Sequence, residues 1–420
     1  MRASILTRLC LLLFVAVVGA MQVSGADFSD LEPQPDLVVD DRVEIRDVTQ
    51  LYEGNISVLA GGELHLAGSV IVFNSTEQKH YGVIVEEGGA ITITNSRIRA
   101  TNKTIGFAFS SYGRTQIRDS RFEGIYDEYI AHEWVGGFRI FSDNPVVTGS
   151  KFLDAHGFGI RFQGSNNVTF IDNMVSGTST GLTLDDSSGL VKDNIFYNNT
   201  DRQVLIRGCD KVEYDGNSVN FSGMAGLVVV NTTEFTSTDS FYEEGLYVVY
   251  VSGSECEFTH DNFEGRYIVL EGREGAMVTM FDCGLNVSQV QAKSGSQIKI
   301  DRYIWLKVLS GDDTVDDAIV KVENSDGTLV AEGTTDETGI AELRMTVARA
   351  KDSGLEVYDP HTFKAVKGLL SGSGTANITS NSQIELQMSL PWLYIIGGLV
   401  FLAFVVVIVV MPPAGRRKRR

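Results

Sequence analysis

Three groups of residues in this chain have the types and spacing for chemistry. In the first, Asp185 and Asp186 follow His156 and Arg161 at a distance of some two dozen residues. Paired carboxylates with an imidazole and a guanidinium suit acid–base work, provided something places the two segments side by side. Asp185-Asp186-Ser187-Ser188 is otherwise an ordinary solvated turn. The second group is Tyr126, Asp127, Glu128, Tyr129, His132, Glu133 and Trp134. Aromatic faces beside carboxylates suit sugar binding, and two carboxylates could act on a glycosidic bond. The competing reading is a segment that folds back to cap apolar surface. The third group, Asp312, Asp313, Asp316 and Asp317, offers carboxylate oxygens to Ca²⁺, against the alternative of a solvated acidic loop. Beyond that Ca²⁺ no cofactor is expected, since zinc-ligand spacing, a phosphate loop and a nucleophile elbow are all missing from the sequence.

What would position these groups is a repeat. Short β-branched and aromatic runs recur between Gly, Asn, Asp and Ser, a strand-and-turn pattern with almost no helical period. Small polar residues just before an apolar one keep time: Ser96, Ser120, Ser150, Asn173, Asn194, Asn217, Ser240 and Asn262, with Ser69 before and Cys283 after. Their spacings are 24, 30, 23, 21, 23, 23 and 22 residues. Runs beginning at Gly159, Gly181, Gln203 and Gly226 keep the same period. A period near 22 fits one coil of three short strands. Coils stacked at about 4.8 Å let each strand pair with its copy above and below. The polar column would lie at a turn, as an inward ladder of Asn and Ser with no charged member. About ten coils would make a body some 50 Å long. The coil of 30 residues holds the Tyr126–Trp134 group, so that group is an insertion on a rigid scaffold, where function concentrates.

The Asp-Asn-apolar turns and the Gly-apolar-x-apolar strands resemble right-handed parallel β-helix repeats of the pectate-lyase-like superfamily. So do the opening Gly61-Gly62-Glu63-Leu64-His65-Leu66 and its echo Gly88-Gly89-Ala90-Ile91-Thr92-Ile93. The resemblance covers roughly 50 to 305 and implies an all-β fold. Members include pectate lyases, polygalacturonases, alginate epimerases, phage tailspikes and adhesins, so it implies little about activity. Polygalacturonases carry paired Asp before a His-Gly, and here the order is reversed. Asp359-Pro360-His361-Thr362 nearly matches an alginate-epimerase motif but lies outside the repeat and has Thr where the motif has Glu. From about Ile304 the rhythm changes. Gly333-Thr334-Thr335-Asp336-Glu337-Thr338-Gly339-Ile340-Ala341 resembles the turn of carboxypeptidase-regulatory-like β-sandwiches, which are usually spacers or stalks.

The ends supply an address. Arg2 and Arg8, an apolar run from Leu9 to Ala20, and small residues leading to Ala26 describe a secretory signal peptide over 1–26. Leu393 to Met411 is free of charge and long enough to cross a bilayer, with Trp392 and Tyr394 at one edge and Arg416-Arg417-Lys418-Arg419-Arg420 beyond it. The expected order is therefore a lead-in over 27–49, a β-helix over 50–303, a β-sandwich over 304–390, a single span over 391–411 and a basic cytoplasmic tail over 412–420. Everything before the span would lie outside the cell. The formal charge is −19, and all 54 acidic residues lie between 27 and 390, which argues against a nucleic-acid partner. Three cysteines, Cys209, Cys256 and Cys283, follow the signal segment and cannot all pair within one chain. Nine sequons, from Asn55 to Asn377, are compatible with glycosylation.

Two functions are expected from this. The leading one is a non-catalytic cell-surface module that binds carbohydrate or another surface protein. Its rival is a tethered polysaccharide lyase or glycoside hydrolase acting on acidic glycans. Convergence of three or more carboxylates, or of an Arg with them, on one exposed sheet favours the rival.

Overall fold

A computed structural model describes residue 28 and residues 30–130, 133–243, 245–378 and 380–390, with the side chains of 128–130, 133–135, 221 and 222 left aside. The expected signal peptide and membrane span lie outside the described residues. Among the described residues no helix is long and apolar enough to cross a membrane.

Three parallel sheets share one core. The first, which opens with Leu37–Val39, has twelve strands; the third, which opens with Thr49–Tyr52, has ten. The second opens with Arg42–Arg46 and reaches sixteen strands by recruiting C-terminal ones. Each coil visits the first, second and third sheet in turn, which makes a parallel β-helix. The register is one for one: Ile160, Leu182, Val204, Leu227, Val249 and Leu270 stack in the first sheet and are buried. Aromatic residues stack along the core in the same way, as Phe109 on Phe138 at 4.1 Å and Phe122 on Phe152 at 5.0 Å.

The turn from the second to the third sheet explains the polar column. Asn95, Asp119, Asp172, Asp193 and Asp239 take φ between 48° and 57°, the left-handed region that Asn and Asp tolerate best. The next residue then points inward. From Ser69 to Asn217 each rung's N–H donates to the side-chain oxygen one coil on, at 2.8–3.2 Å. The expected ladder is present, with one correction. Asn262 is not a rung; it begins a third-sheet strand opposite Phe241. The rung is Asp261, whose Oδ1 accepts from Ser240 N–H at 2.7 Å. The left-handed residue here is His260, which moves the slot by one residue and puts a carboxyl where none was expected.

A second ladder went unread. At the turn from the first to the second sheet, Ser165 N–H donates to Ser187, Thr232 N–H to Ser254 and Ala276 N–H to Ser296. Cys209 lies between Ser187 and Thr232 in this column, with its sulfur on the Leu184 and Arg207 carbonyls. Cys209, Cys256 and Cys283 are buried free thiols. Burial pushes Cys209 up to about 11 and Cys283 up to about 12, so both stay protonated and inert.

The surplus of the long coil is an antiparallel hairpin, Asp127–Ile130 with Glu133–Gly136, between the third and first sheets. At the far end, Gln297–Ser310 begins as a rung on Met277–Phe281 and runs on to pair antiparallel with Ile340–Lys351. The boundary expected at 304 falls inside this single strand. Beyond it lies a separate antiparallel sheet in the order Leu329–Thr334, Ile319–Glu323, His361–Lys367, Leu370–Ala376.

Candidate functional site

Strand alternation decides which side chains of the first sheet face out. In one outward row Arg139, Arg161, Thr183, Leu205, Val228, Tyr250 and Glu271 follow coil by coil. In the next row Gln163, Asp185, Arg207, Val230, Ser252 and Arg273 do the same. Stacking therefore brings Asp185 to Arg161, as the spacing suggests, and it also brings Arg207. Arg161 Nη2 bonds Asp185 Oδ2, and Arg207 grips the same carboxylate with two bonds of 2.8 and 2.7 Å. Burial alone would raise the Asp185 pKa. The hydrogen bonds from Arg207 and Arg161 outweigh it and hold the carboxyl below its ordinary value.

Asp127 joins this group from the base of the hairpin. Its side chain is fully buried; Oδ1 accepts from Arg139 at 3.2 Å and Oδ2 from the Phe158 N–H at 3.2 Å. Gly137 and Gly157 make room for it: a Cβ would stand 3.1 and 2.7 Å from its carboxylate. Burial raises the Asp127 pKa, and the Phe158 N–H and Arg139 offset that only in part. Arg161 also lies 5.4 Å from the Phe158 ring centre, a cation–π contact. The Nε atoms of Arg139 and Arg161 are buried with no partner among the described residues.

Next to these charges is an apolar platform. Leu205, Ala225 and Val228 pack with Val230, Tyr247 and Tyr250 on the outer face of the sheet. Tyr267, 66 % exposed, and Leu246 stand beside the ends of these strands. Guanidinium groups and aromatic rings thus occupy successive coils of one surface.

The other expected residues are distributed as follows. Asp186 is an exposed left-handed turn residue outside the cluster. His156 is exposed and lines a separate cleft of about 360 Å³ with Lys103 and Asp154; its neighbour Gly157 is the one that serves the site. Tyr126 stacks on His80 at 3.8 Å. Glu128, Tyr129, Glu133 and Trp134 belong to the hairpin backbone, with Tyr129 opposite Trp134. Their side chains, and His132, lie outside the described residues. Asp312, Asp313, Asp316 and Asp317 are exposed, and Asp316 pairs with Lys367. Among the described residues no set of three or more His, Cys, Asp or Glu is placed to hold a metal, so the Ca²⁺ grouping is not assembled. His361 is buried, with Nδ1 3.0 Å from Asp359 Oδ1, away from the cluster.

The sequence reading missed Arg139, Arg207 and the Tyr247–Tyr250 platform. The signal was available: Arg139 lies one coil before Arg161, and Arg207 one coil after Asp185. Extending the period through polar as well as apolar positions would have found them.

A family model described as "Right handed beta helix region" matches residues 56–219. The fold is that of a right-handed parallel β-helix. Among solved structures, this β-helix is similar to the periplasmic alginate epimerase AlgG, at 14% identity and TM-score 0.50, over 63% of this chain and 76% of that one. A tailspike protein of Acinetobacter baumannii bacteriophage Fri1, a capsular polysaccharide depolymerase, matches at 9% identity and TM-score 0.34 over 83% of each chain. Tailspike protein 2 of an Escherichia coli O157:H7 bacteriophage matches at 10% and 0.35, over 82% of this chain and 64% of that one. At such identities the likeness is one of fold. No curated protein matches the sequence.

Proposed function

We propose that the outer face of the first sheet binds an acidic polysaccharide and that the β-helix presents this face at the cell surface. The observation that carries the reading is the cluster of Arg139, Arg161 and Arg207 from two adjacent outward rows, gathered around Asp127 and Asp185, beside the Tyr247–Tyr250 platform. Three guanidinium groups gather on this face of a chain of net charge −19, and Arg207 is half exposed. Guanidinium pairs with carboxylate or sulfate in fork geometry, and tyrosine faces take sugar rings. The likeness to polysaccharide-acting β-helix proteins is consistent with that ligand class.

A second reading, a lyase or hydrolase of acidic glycans, draws on the convergence itself, which is the outcome set above as favouring an enzyme. The individual carboxylates speak against it. Both Asp185 oxygens are held by arginines, and Asp127 is fully buried with both oxygens engaged. Glycosidic acid–base work needs two carboxylates facing the bond, and in this cluster no described carboxylate is both exposed and free. An enzyme here would depend on Glu128, His132 and Glu133 of the hairpin.

Around this site we read residues 1–26 as a signal peptide, 304–390 as a β-sandwich stalk, 391–411 as a single span and 412–420 as a cytoplasmic tail. The sequons we read as glycosylation sites of the exposed part. Titrating the full-length chain with oligogalacturonate tests the central claim. Arg207→Gln should weaken binding about tenfold, and added salt should weaken it further. Shortened products would move the assignment to the enzyme; neither binding nor cleavage would remove both readings.

A further inference from the structure

Tyr112 and Phe141 follow the first-sheet strands Ala108–Ser111 and Phe138–Ile140, one coil apart, at the turn into the second sheet. Ser111 and Ile140 just before them are fully buried, so the two rings project outward. They lie parallel, 4.6 Å apart with 6° between planes, and Tyr112 is 51 % exposed. At the same turn the coil before carries Glu86-Glu87-Gly88 and the coil after carries Gln163-Gly164. Among the described residues no third ring continues the stack, and Tyr112 stays half exposed. The pair lines a cleft of about 970 Å³ together with Gly88, Gly89 and Gly113 and with the polar residues Arg114, Gln116 and Asp143. Arg114 crosses two coils to pair with Glu63 at 3.2 Å. Asp143 accepts from the Asn166 N–H at 2.8 Å, and Gln116 adds an amide.

We propose that this cleft is a second glycan site that takes a neutral oligosaccharide, with one sugar ring stacked on Tyr112. A pyranose has an apolar face and a hydroxyl edge, and the cleft offers a half-exposed aromatic ring beside polar side chains. Its size is at the upper end of the ~300–1,000 Å³ usual for small-molecule sites, which suits several rings rather than one. Charge sets the class. The lining has one guanidinium, already paired, against the carboxylates of Glu63, Glu87 and Asp143. Uronate or sulfated sugars are repelled here, the opposite preference to the arginine cluster. The site stands whether or not that cluster binds glycans.

The test is calorimetric titration of the full-length chain with cellohexaose, xylohexaose, mannohexaose and maltohexaose. At least one should bind, with Tyr112→Ala weakening it about tenfold, Tyr112→Phe retaining it and Arg207→Gln leaving it unchanged. Saturation-transfer NMR on the unmodified chain should place aromatic protons against one face of the sugar, which keeps the proposal testable if Tyr112→Ala folds poorly. Failure of all four sugars overturns it, as does an affinity indifferent to Tyr112→Ala. Binding of tetramethylammonium in place of the sugars would make the ring a cation site and equally end the proposal.

Discussion

Asp261 sits in a slot that Ser or Asn fills on every coil from Ser69 to Ser240, and its chemistry differs from theirs. Asn194 and Asn217 use Nδ2 to donate to the Phe170 and Val191 carbonyls, at 2.9 and 2.8 Å. In Asp261 the atom corresponding to that nitrogen is Oδ2, buried and without a partner. Burial, reinforced by nearby Asp239, pushes its pKa from 3.8 up to about 7. Hydrogen bonds from the Ser240 N–H and the Ser237 hydroxyl offset this only in part, and Tyr214 and Tyr242 are themselves buried phenols. The folded state therefore holds this proton more tightly than the unfolded chain does. Stability from this group is complete below about pH 4, falls as pH rises toward 7 and is flat above, a total of about 4 kcal/mol. Asp261→Asn keeps the acceptor for Ser240 and restores a donor. It should remove this slope and stabilise the protein most above pH 7. Urea unfolding of both forms at about pH 5 and pH 8 decides it; parallel pH slopes would sink the idea. The position shows a limit of spacing as a guide. Asp261-Asn262 looks like Asp172-Asn173, yet the left-handed residue is His260, and only backbone geometry separates the two registers.

The ladders are where the elements hold one another. Asn173, Asn194 and Asn217 each accept from the coil before; the side-chain amides of Asn173 and Asn194 donate to two groups and that of Asn217 to the Val191 carbonyl, all out of reach of water. Asn194→Ala would strand the Asn173 N–H and leave the Phe170 carbonyl and Asn217 Oδ1 each short of a donor. A buried polar group left unpaired costs about 1–3 kcal/mol, so a loss of roughly 3 kcal/mol is expected. Glu213→Ala, at an exposed second-sheet position one coil on, should cost under about 0.5 kcal/mol. Equal unfolding midpoints for the two variants would show that the ladder is ornamental. The Asn ladder was legible because its rungs are nearly uniform and the period is regular. The second ladder was not, because Ser165, Ser187, Cys209, Thr232, Ser254 and Ser296 mix with apolar rungs such as Ala276, and no residue type marks the column. The hairpin was half legible: the coil was visibly too long, but residue count does not reveal pairing. Asp127 was singled out for exposed chemistry and proved to be the buried foot of that hairpin, held by two glycines whose role depends on contacts from neighbouring coils.

At the scale of the whole molecule the question is what the β-helix stands on. Gln297–Ser310 belongs both to the last coil and to the C-terminal strands, so the two parts share backbone and not merely a linker. Ser382–Gln387 runs parallel to that same strand, Met388 N–H bonds the Leu309 carbonyl at 2.7 Å, and Ser389 bridges to Ser371. Ordered pairing therefore continues to within a few residues of the apolar run at Leu393, with too little chain between for a free tether. On the proposed anchoring, the first coils lie farthest from the bilayer; the Tyr112 cleft follows at the fourth strand of the first sheet, and Arg139, Arg161 and Arg207 come on its fifth, sixth and eighth strands of twelve. A chain ending at Leu390 keeps every described strand and should leave the membrane fraction for the soluble one while retaining oligogalacturonate binding unchanged. The full-length chain should stay with membranes through high salt and require detergent, because an apolar span is held by burial and not by charge. Salt-releasable full-length protein would replace the span with a peripheral attachment through the basic tail. A truncated chain that stays membrane-bound would place the anchor elsewhere, at the uncleaved apolar run before Ala26.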